Sequence, residues 1–352
     1  MDMHVDTLAN LRPATRRNGT TRTLNLALQG AGSHGAFCWG ILDKLLEDGR
    51  IEIDGITATS AGAYCAVVYA YGFLRGGKDN ARTLLERFWR KVSEESAWIH
   101  PLRYAPMAVM FGEPASWRWF EHMTQVLSPY EFNPLNLDPA RSVLESLVDF
   151  EELYRARATP LVISATHVRS GRKRIFTNRE ITAKAVAAAA CQPALSQAVE
   201  IDGEHYWDGV YGAGQVLAPL IARSSSRDVL IGQISPVLQR DMPRRAPQIQ
   251  ARAAEIATHA SLLCDARALT AAASLIDESW IKPEHRHRLS PARFHAISAD
   301  DVMSDVSAES KFDMSGRALR RLRDMGRHAA DLWLETHFES VGQRSTIHFS
   351  EQ

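Results

Sequence analysis

The stretch Ala58-Thr59-Ser60-Ala61-Gly62 lies between two elements that the hydrophobic pattern predicts clearly. A short apolar strand, 51–56, precedes it, and a helix, 63–73, follows it. A serine between small residues at a strand-to-helix junction can stand on a sharp turn with its hydroxyl exposed above a sheet. The N-terminus of the helix behind it offers unpaired N–H groups to a developing negative charge. We therefore predict that Ser60 is a nucleophile; the alternative is an ordinary helix N-cap.

A second strand–loop–helix unit lies directly upstream of this stretch. The apolar run 24–28 predicts a buried strand, and a helix with apolar residues at helical spacing is predicted over 36–47. Between them stands the loop Gly30-Ala31-Gly32-Ser33-His34-Gly35. Further buried strands are predicted at 160–166, 228–234 and 294–298, and hairpins at 168–176 and 200–207. Strands that alternate with helices through short loops are typical of a parallel sheet covered by helices.

Composition limits the class of protein. The chain has 352 residues, of which 45% are hydrophobic and 23% charged, and its formal net charge is zero. This is ordinary globular composition without a basic field, so no nucleic-acid partner is predicted. No stretch approaches the roughly 18 apolar residues of a membrane span. We expect a cytoplasmic protein that contacts membrane or lipid surfaces only from the side. The cysteines fit no zinc site or disulfide framework and are predicted to be buried thiols: Cys38, Cys65, Cys191 and Cys264.

The chain divides into a tail and one domain. Residues 1–22 are polar and are predicted to form a flexible N-terminal tail, and 23–352 a single α/β domain. Within it, 98–137 is rich in aromatic residues and prolines without a clean period, which fits an apolar lid or core packing equally. The part from 250 to 340 is predicted to be mainly helical. Its last helix, 315–338, carries a basic face, typical of amphipathic packing and alternatively of contact with a membrane surface.

A serine hydroxyl is a weak nucleophile and needs a base within hydrogen-bond reach. None of the 13 histidines stands out by its local setting as that partner. Asp208, in the sequence Trp-Asp-Gly at a predicted strand end, can act as a base if desolvation raises its pKa. An Asp-Gly pair is also common in turns. The amides of Gly30-Ala31-Gly32, placed before a helix, could stabilise an oxyanion.

Taken together and in this order, the motifs resemble those of the patatin-like phospholipases, a family of serine–aspartate dyad lipid acyl hydrolases. The loop 30–35 is similar to the family's glycine-rich oxyanion loop, and 58–62 to its G-x-S-x-G elbow. Asp208-Gly209 is similar to its D-G-[AG] motif, and the small-residue stretch 187–201 to the segment before it. Three ordered motifs over about 24–219 are a specific signal, whereas each alone is weak.

The resemblance implies a three-layer α/β/α sandwich with a mostly parallel central sheet. It implies that Ser60 is the nucleophile and Asp208 the base, with Ala58, Gly62 and Gly209 shaping the elbow and the dyad turn. The oxyanion hole would come from the loop residues Gly30, Ala31, Gly32, Ser33, His34 and Gly35. The implied activity is that of a phospholipase A-like esterase (EC 3.1.1-type). It would cleave carboxylic esters of lipid or acyl-ester substrates through an acyl-enzyme, with no metal and no cofactor.

Three positions depart from the family pattern. Ala31 and Ala58 replace glycines, and Val210 stands where the family prefers glycine or alanine. Glycine permits positive φ and close backbone contact, so an alanine at 31 with φ > 0 would cost about 1 kcal/mol or more. A catalytically weakened or inactive binding protein of the same fold therefore stays open as an alternative.

A second alternative belongs to another class. The sequence G-A-G-S-H-G fits the G-x-G-x-x-G fingerprint of dinucleotide-binding folds, because it follows a strand and precedes a helix. Glu52 and Asp54 stand about where that fold places its ribose-binding acid. A dinucleotide-dependent oxidoreductase, however, leaves Ser60 and Asp208-Gly209 unexplained, so the acyl hydrolase is favoured.

Overall fold

The structure is a computed structural model, and it describes most of the chain beyond the N-terminus. The described residues are 21–111, 124, 126–155, 159–212, 214, 216–234, 242–244, 246–275, 291–299, 302–303 and 308–347. The predicted flexible tail, 1–22, lies outside these residues except for its last two positions. Much of the predicted lid also falls outside them.

One sheet of eight strands forms the centre of the protein. The strands are β1 (Arg22–Leu28), β2 (Ile51–Ala58), β3 (Leu161–His167), β4 (Lys173–Thr177), β5 (Val199–Ile201), β6 (Glu204–Asp208), β7 (Asp228–Gln233) and β8 (Arg293–Ser298). Their order is β5-β6-β3-β2-β1-β7-β8, and β4 pairs with β3. Strands β3, β2, β1, β7 and β8 are mutually parallel, whereas β4 and β6 run antiparallel to β3. The hairpins predicted at 168–176 and 200–207 are the β3–β4 and β5–β6 pairs.

Helices cover both faces of this sheet. They are α1 (Ala36–Asp48), α2 (Ala61–Phe111), α3 (Pro129–Phe132), α4 (Pro139–Leu147), α5 (Phe150–Arg155), α6 (Ala183–Ala189), α7 (Leu217–Ile221), α8 (Ala246–Leu275) and α9 (Gly316–His337). Short 3₁₀ turns occupy Gly209–Tyr211, Ala308–Phe312 and Phe338–Ser340. The predicted three-layer α/β/α fold with a mostly parallel sheet is confirmed.

Strand β1 is buried on both faces along Leu24–Leu28, including its one polar residue there, Asn25. Leu24, Leu26 and Leu28 belong to a core with residues of α1, α2 and α9. Ala27 belongs to a second core with residues of α7 and α8. A central parallel strand is buried on both faces, so the side chains that point to either face are mainly apolar.

Strand β3 brings two distant strand ends together. One edge of β3 pairs with β4 along most of its length. The first half of its other edge therefore pairs with β2, and the second half pairs with β6. Ala58, the last residue of β2, is opposite Ile163, and Asp208, the last residue of β6, is opposite Ala165. The ends of β2 and β6 therefore lie two residues apart along β3, directly before the Ser60 turn.

One expectation from the sequence needs correction, and one segment whose structure the sequence leaves open is found to be helical. The segment 98–111, whose sequence shows no clean period, continues α2, which has a break at Gly76–Gly77. Strong helix formers surround its two prolines, and each proline removes only one backbone hydrogen bond. Cys264 is exposed, because it lies on the outer side of α8; the other three cysteines are buried as expected. In the described part of the chain, no helix is long and apolar enough to cross a membrane.

Candidate active site

Ser60 stands on a strained turn between β2 and α2. Its φ of 53° places it in the left-handed region, which few residues other than glycine occupy. Such a conformation costs about 1 kcal/mol or more and has to be held in place by its surroundings. Here the Ser60 amide donates to the carbonyl of Ala189 at 2.9 Å. The hydroxyl is thus fixed at the end of the sheet on a sharp elbow.

The start of α2 and the glycine-rich loop touch backbone to backbone. A Cβ at Gly30 would lie 2.3 Å from the Ala61 nitrogen, and one at Gly62 would lie 2.7 Å from the carbonyl oxygens of Leu28 and Gln29. Only glycine permits this approach, because the obstructing atoms are backbone and cannot move aside. Ala58, in contrast, is a regular residue of β2, so its methyl group requires no special backbone.

The loop amides divide into two sets. Those of Ser33, His34 and Gly35 donate to the carbonyls of Lys311 (2.9 Å), Ala31 (3.1 Å) and Gly32 (3.1 Å), respectively. The amides of Gly30, Ala31 and Gly32 donate to no backbone carbonyl of the described chain. Of the loop amides, only those in this first half lack a described backbone acceptor.

Backbone strain in the loop falls on a glycine. Gly32 has φ of 56°, whereas Ala31 is absent from the positive-φ residues of the described chain. The alanine that replaces the family's second glycine therefore carries no left-handed strain. The strain of about 1 kcal/mol that an alanine with positive φ would add at this position is therefore absent.

Asp208 is fully buried at the end of β6. Its amide donates to the carbonyl of Cys191 at 2.7 Å, and its own carbonyl accepts from Thr166 Oγ1 at 2.7 Å. Its Oδ1 accepts from the amide of Val210 at 3.1 Å, so the valine is accommodated and caps the carboxylate. Next to it, a Cβ at Gly209 would lie 2.2 Å from the carbonyl oxygen of Ser164, which explains the glycine.

The structure brings Ser60 to Asp208. Oδ2 of Asp208 is buried and accepts no hydrogen bond of regular geometry from a described residue, and the Ser60 hydroxyl is near enough to favour the charged form of the carboxylate. Burial dominates and raises the pKa of Asp208 to about 7, against the opposing effects of Val210 N–H and Ser60.

His34 is held by a segment that the sequence did not single out. Its Nε2 lies 2.8 Å from the hydroxyl of Ser310, and the hydroxyl of Ser33 donates to the Ser310 carbonyl at 2.9 Å. Burial, reinforced by the charge of Lys311, lowers the pKa of His34 to about 4. These contacts tie the 3₁₀ turn 308–312 to the loop, nearly 280 residues away in sequence, where no local pattern signals it.

A cavity of about 360 Å³ opens at Ser60. Helix α2 contributes an aromatic wall that includes Phe88 and Trp89. The turn 308–312 and the segment after it contribute Phe312 and Met314, and the predicted lid contributes Leu137. Polar groups lie at the same cavity, among them Asn136, Arg141, Gln192, Gln197 and Lys311. Its mixture of apolar walls with a few polar groups fits a small-molecule or acyl-chain site.

The residues do not fit the dinucleotide alternative. Asp54, one of the two acids considered for a ribose hydroxyl, instead accepts hydrogen bonds from Ser225 N at 2.5 Å, Ser225 Oγ at 2.8 Å and Ser226 N at 2.8 Å. Gly32, where a pyrophosphate would approach, is covered by the Lys311 carbonyl, which would lie 2.4 Å from a Cβ there. Among the described residues, no group of three or more His, Cys, Asp or Glu side chains is arranged to hold a metal.

Comparisons with known proteins point to one family. A family model described as "Patatin-like phospholipase" matches residues 26–218, and no curated protein matches the chain. The crystal structure of VipD from Legionella pneumophila is similar at 12% identity, with a TM-score of 0.39, over 89% of this chain and 67% of that one. Two ExoU–SpcU complexes from Pseudomonas aeruginosa match at 14% and 16% identity, each with a TM-score of 0.31. They cover 90% of this chain, which spans only 53% and 59% of the matched chains.

Proposed function

Because the chain belongs to the patatin-like phospholipase family, we propose that it is a lipid acyl hydrolase that works through a serine–aspartate dyad. One observation carries the proposal: the strained Ser60 turn meets a buried carboxylate oxygen of Asp208 that has no other described partner. Neither feature helps the fold, because positive φ at serine and an unsatisfied buried carboxylate are both unfavourable. Such costs are typical of catalytic sites.

In the first step Ser60 Oγ attacks the carbonyl carbon of the ester, and Asp208 accepts the hydroxyl proton. A base is most effective when its pKa lies near the working pH, and the pKa of about 7 meets that condition. The tetrahedral oxyanion would be stabilised by the free amides of Gly30, Ala31 and Gly32. Removing one such donor typically costs a factor of about 100 to 1,000 in rate.

The intermediate then collapses. The ester C–O bond breaks, the leaving alcohol takes the proton from Asp208, and the acyl group remains on Ser60. Water next attacks the acyl carbonyl while Asp208 accepts one of its protons. The fatty acid leaves, and the proton returns to Ser60 Oγ. Each proton and electron pair is accounted for by these two residues, the ester and one water.

The cavity supports an acyl substrate. Its apolar wall, which includes Phe88, Trp89 and Met314, offers a dry surface to a hydrocarbon chain next to Ser60. Polar groups such as Gln192 and Lys311 lie in the same cavity and can face the alcohol part of the ester.

An activity-based fluorophosphonate probe tests the reaction class. We expect it to label wild-type protein at Ser60, as mapped by mass spectrometry, and to fail with Ser60→Ala. Ser196→Ala is the matched control, because Ser196 lines the same cavity but should not react. Hydrolysis of a short-chain p-nitrophenyl ester should vanish in Ser60→Ala and Asp208→Asn. A folded wild-type protein that stays unlabelled would instead favour the non-catalytic binding protein.

A further inference from the structure

Helix α9 presents a row of cationic side chains to solvent. Arg317, Arg320, Arg321 and His328 are all exposed and lie on one face, since they are spaced by three, four and seven residues. Together with Val302 and Met325 they line an open groove of about 570 Å³. Leu332, one turn further along this face, is also exposed.

The arginines of this groove differ from the other arginines of α9 in having no acidic partner among the residues that the structure describes. Arg323 pairs with Asp324 at 2.7 Å, and Arg327 pairs with Asp43 and Glu47. Arg317, Arg320 and Arg321 form no ion pair with any described residue. Asp324, the one acid of the groove, is thus already neutralised by Arg323. Three guanidinium groups on one turn repel each other and favour a multivalent anionic partner.

The groove and the cavity of the candidate active site are connected through the start of α9. Helix α9 begins directly after Met314, which lines the Ser60 cavity, and Ser315 caps the helix. A Cβ at Gly316 would lie 3.2 Å from Arg320 Nη1 and 3.5 Å from Ser93 Oγ. Ser93 is adjacent to Val92, another residue of the cavity wall. The first turn of α9 therefore joins the cationic groove to the cavity.

We propose that this arginine groove binds the phosphate groups of an anionic phospholipid bilayer and so holds the cavity mouth against the lipid surface. The proposal rests on the acyl hydrolase function, which requires access to lipid esters. A bilayer fits better than a free phosphate, because the arginines form an open row rather than a closed cleft. Arginine also suits phosphate recognition through its planar set of donors. The exposed Leu332 and the partly exposed Met325 would contact the region just below the headgroups.

Vesicle co-sedimentation tests the proposal on the Ser60→Ala full-length chain, so that binding is measured without turnover. The vesicles are phosphatidylcholine alone or a 70:30 mixture of phosphatidylcholine and phosphatidylglycerol. We expect binding only to the anionic vesicles and its loss at 1 M salt, where the Debye length is about 3 Å. The triple variant Arg317→Gln/Arg320→Gln/Arg321→Gln should bind roughly a hundredfold more weakly, a factor of about five for each arginine.

The matched control removes three charges elsewhere. Arg169→Gln/Arg172→Gln/Lys173→Gln acts at the exposed β3–β4 hairpin and should leave vesicle binding unchanged. Equal binding of wild type and the α9 variant, a loss in the hairpin variant instead, or equal binding to neutral vesicles would each overturn the proposal. So would binding to RNA or a phosphopeptide without binding to vesicles.

A kinetic test separates this proposal from the proposed function. For this test Ser60 is retained. The triple arginine variant of α9 should hydrolyse a soluble short-chain ester at the wild-type rate, but it should hydrolyse lipid in anionic vesicles far more slowly than the wild type does. A protein that binds vesicles through the groove but hydrolyses neither substrate would refute the enzyme and support the groove. Equal loss on both substrates would refute a surface-binding role.

Discussion

Replacing Asp208 by asparagine should abolish hydrolysis and, above about pH 5, stabilise the fold. The carboxylate is fully buried, with one oxygen bonded to Val210 N–H and the other lacking a regular partner. An asparagine keeps an oxygen that can accept from Val210 but never carries the charge. The difference in the free energy of unfolding between the variant and the wild type therefore measures how much the buried charge destabilises the native protein.

The magnitude follows from proton linkage. In the folded protein the pKa of Asp208 is raised from 3.8 to about 7. Between these values the native state holds a proton that the unfolded chain has released, so the free energy of unfolding falls as pH rises. Integrated with these two pKa values, the charge costs about 2 kcal/mol at pH 5 and about 4 kcal/mol at pH 8.

The assay is equilibrium urea unfolding of wild type and Asp208→Asn at pH 5 and pH 8. The variant should gain about 2 kcal/mol more at pH 8 than at pH 5. Asp79→Asn is the matched control, because Asp79 is exposed and its carboxylate makes no described hydrogen bond; its effect should not change between the two values. A difference between wild type and Asp208→Asn that stays constant across this range would refute the linkage argument.

Three further outcomes follow from the site. With a soluble ester, log kcat/KM of the wild type should rise with a slope of about one up to a pH near 7 and then level off, as deprotonation of Asp208 requires; a flat profile would contradict its role as base. Gly62→Ala should abolish activity and destabilise the fold, since its Cβ would lie 2.7 Å from the carbonyl of Gln29, whereas Gly316→Ala, which meets a flexible arginine, should be nearly neutral in thermal melts and ester assays. His34→Gln should gain about 2 kcal/mol at pH 5 relative to pH 8 in urea unfolding, because the pKa of about 4 makes the native state resist a proton that the unfolded chain binds; no gain at pH 5 would show that His34 titrates freely in the native state.

Short-range patterns were enough to predict the elements that carry Ser60. The apolar runs before and after the elbow fixed β2 and the start of α2, and the glycine spacing reflects backbone contacts that only glycine allows. Asp208, nearly 150 residues away, could be proposed as a base from its Trp-Asp-Gly turn and from the resemblance, but its nearness to Ser60 could not be derived, because it depends on β2 and β6 sharing one side of β3. Pairing between strands so distant in sequence leaves no local periodic signal.

The role of residues 308–312 could not be predicted from the sequence. A single 3₁₀ turn has too few residues for a period, and its contacts with the loop use a backbone carbonyl and a serine hydroxyl. Such contacts are nearly independent of side-chain type. The same turn decides which loop amides remain free, since the Lys311 carbonyl takes the amide of Ser33. The sequence predicted the whole loop as an oxyanion hole, and the structure leaves only the amides of Gly30, Ala31 and Gly32 without a described backbone acceptor.

The two buried titratable groups of the site act on stability with opposite sign. Asp208 weakens the fold as pH rises through the interval from 3.8 to 7, and His34 weakens it as pH falls from 6.5 to about 4. With these pKa values their combined cost is about 4 kcal/mol at both pH 5 and pH 8. The pair should thus contribute almost no pH dependence to the wild-type protein, while each single variant reveals the slope of the other group. The protein can therefore hold a buried carboxylate whose pKa is near 7, because the buried imidazole offsets its effect. The free energy of unfolding then changes little between pH 5 and pH 8.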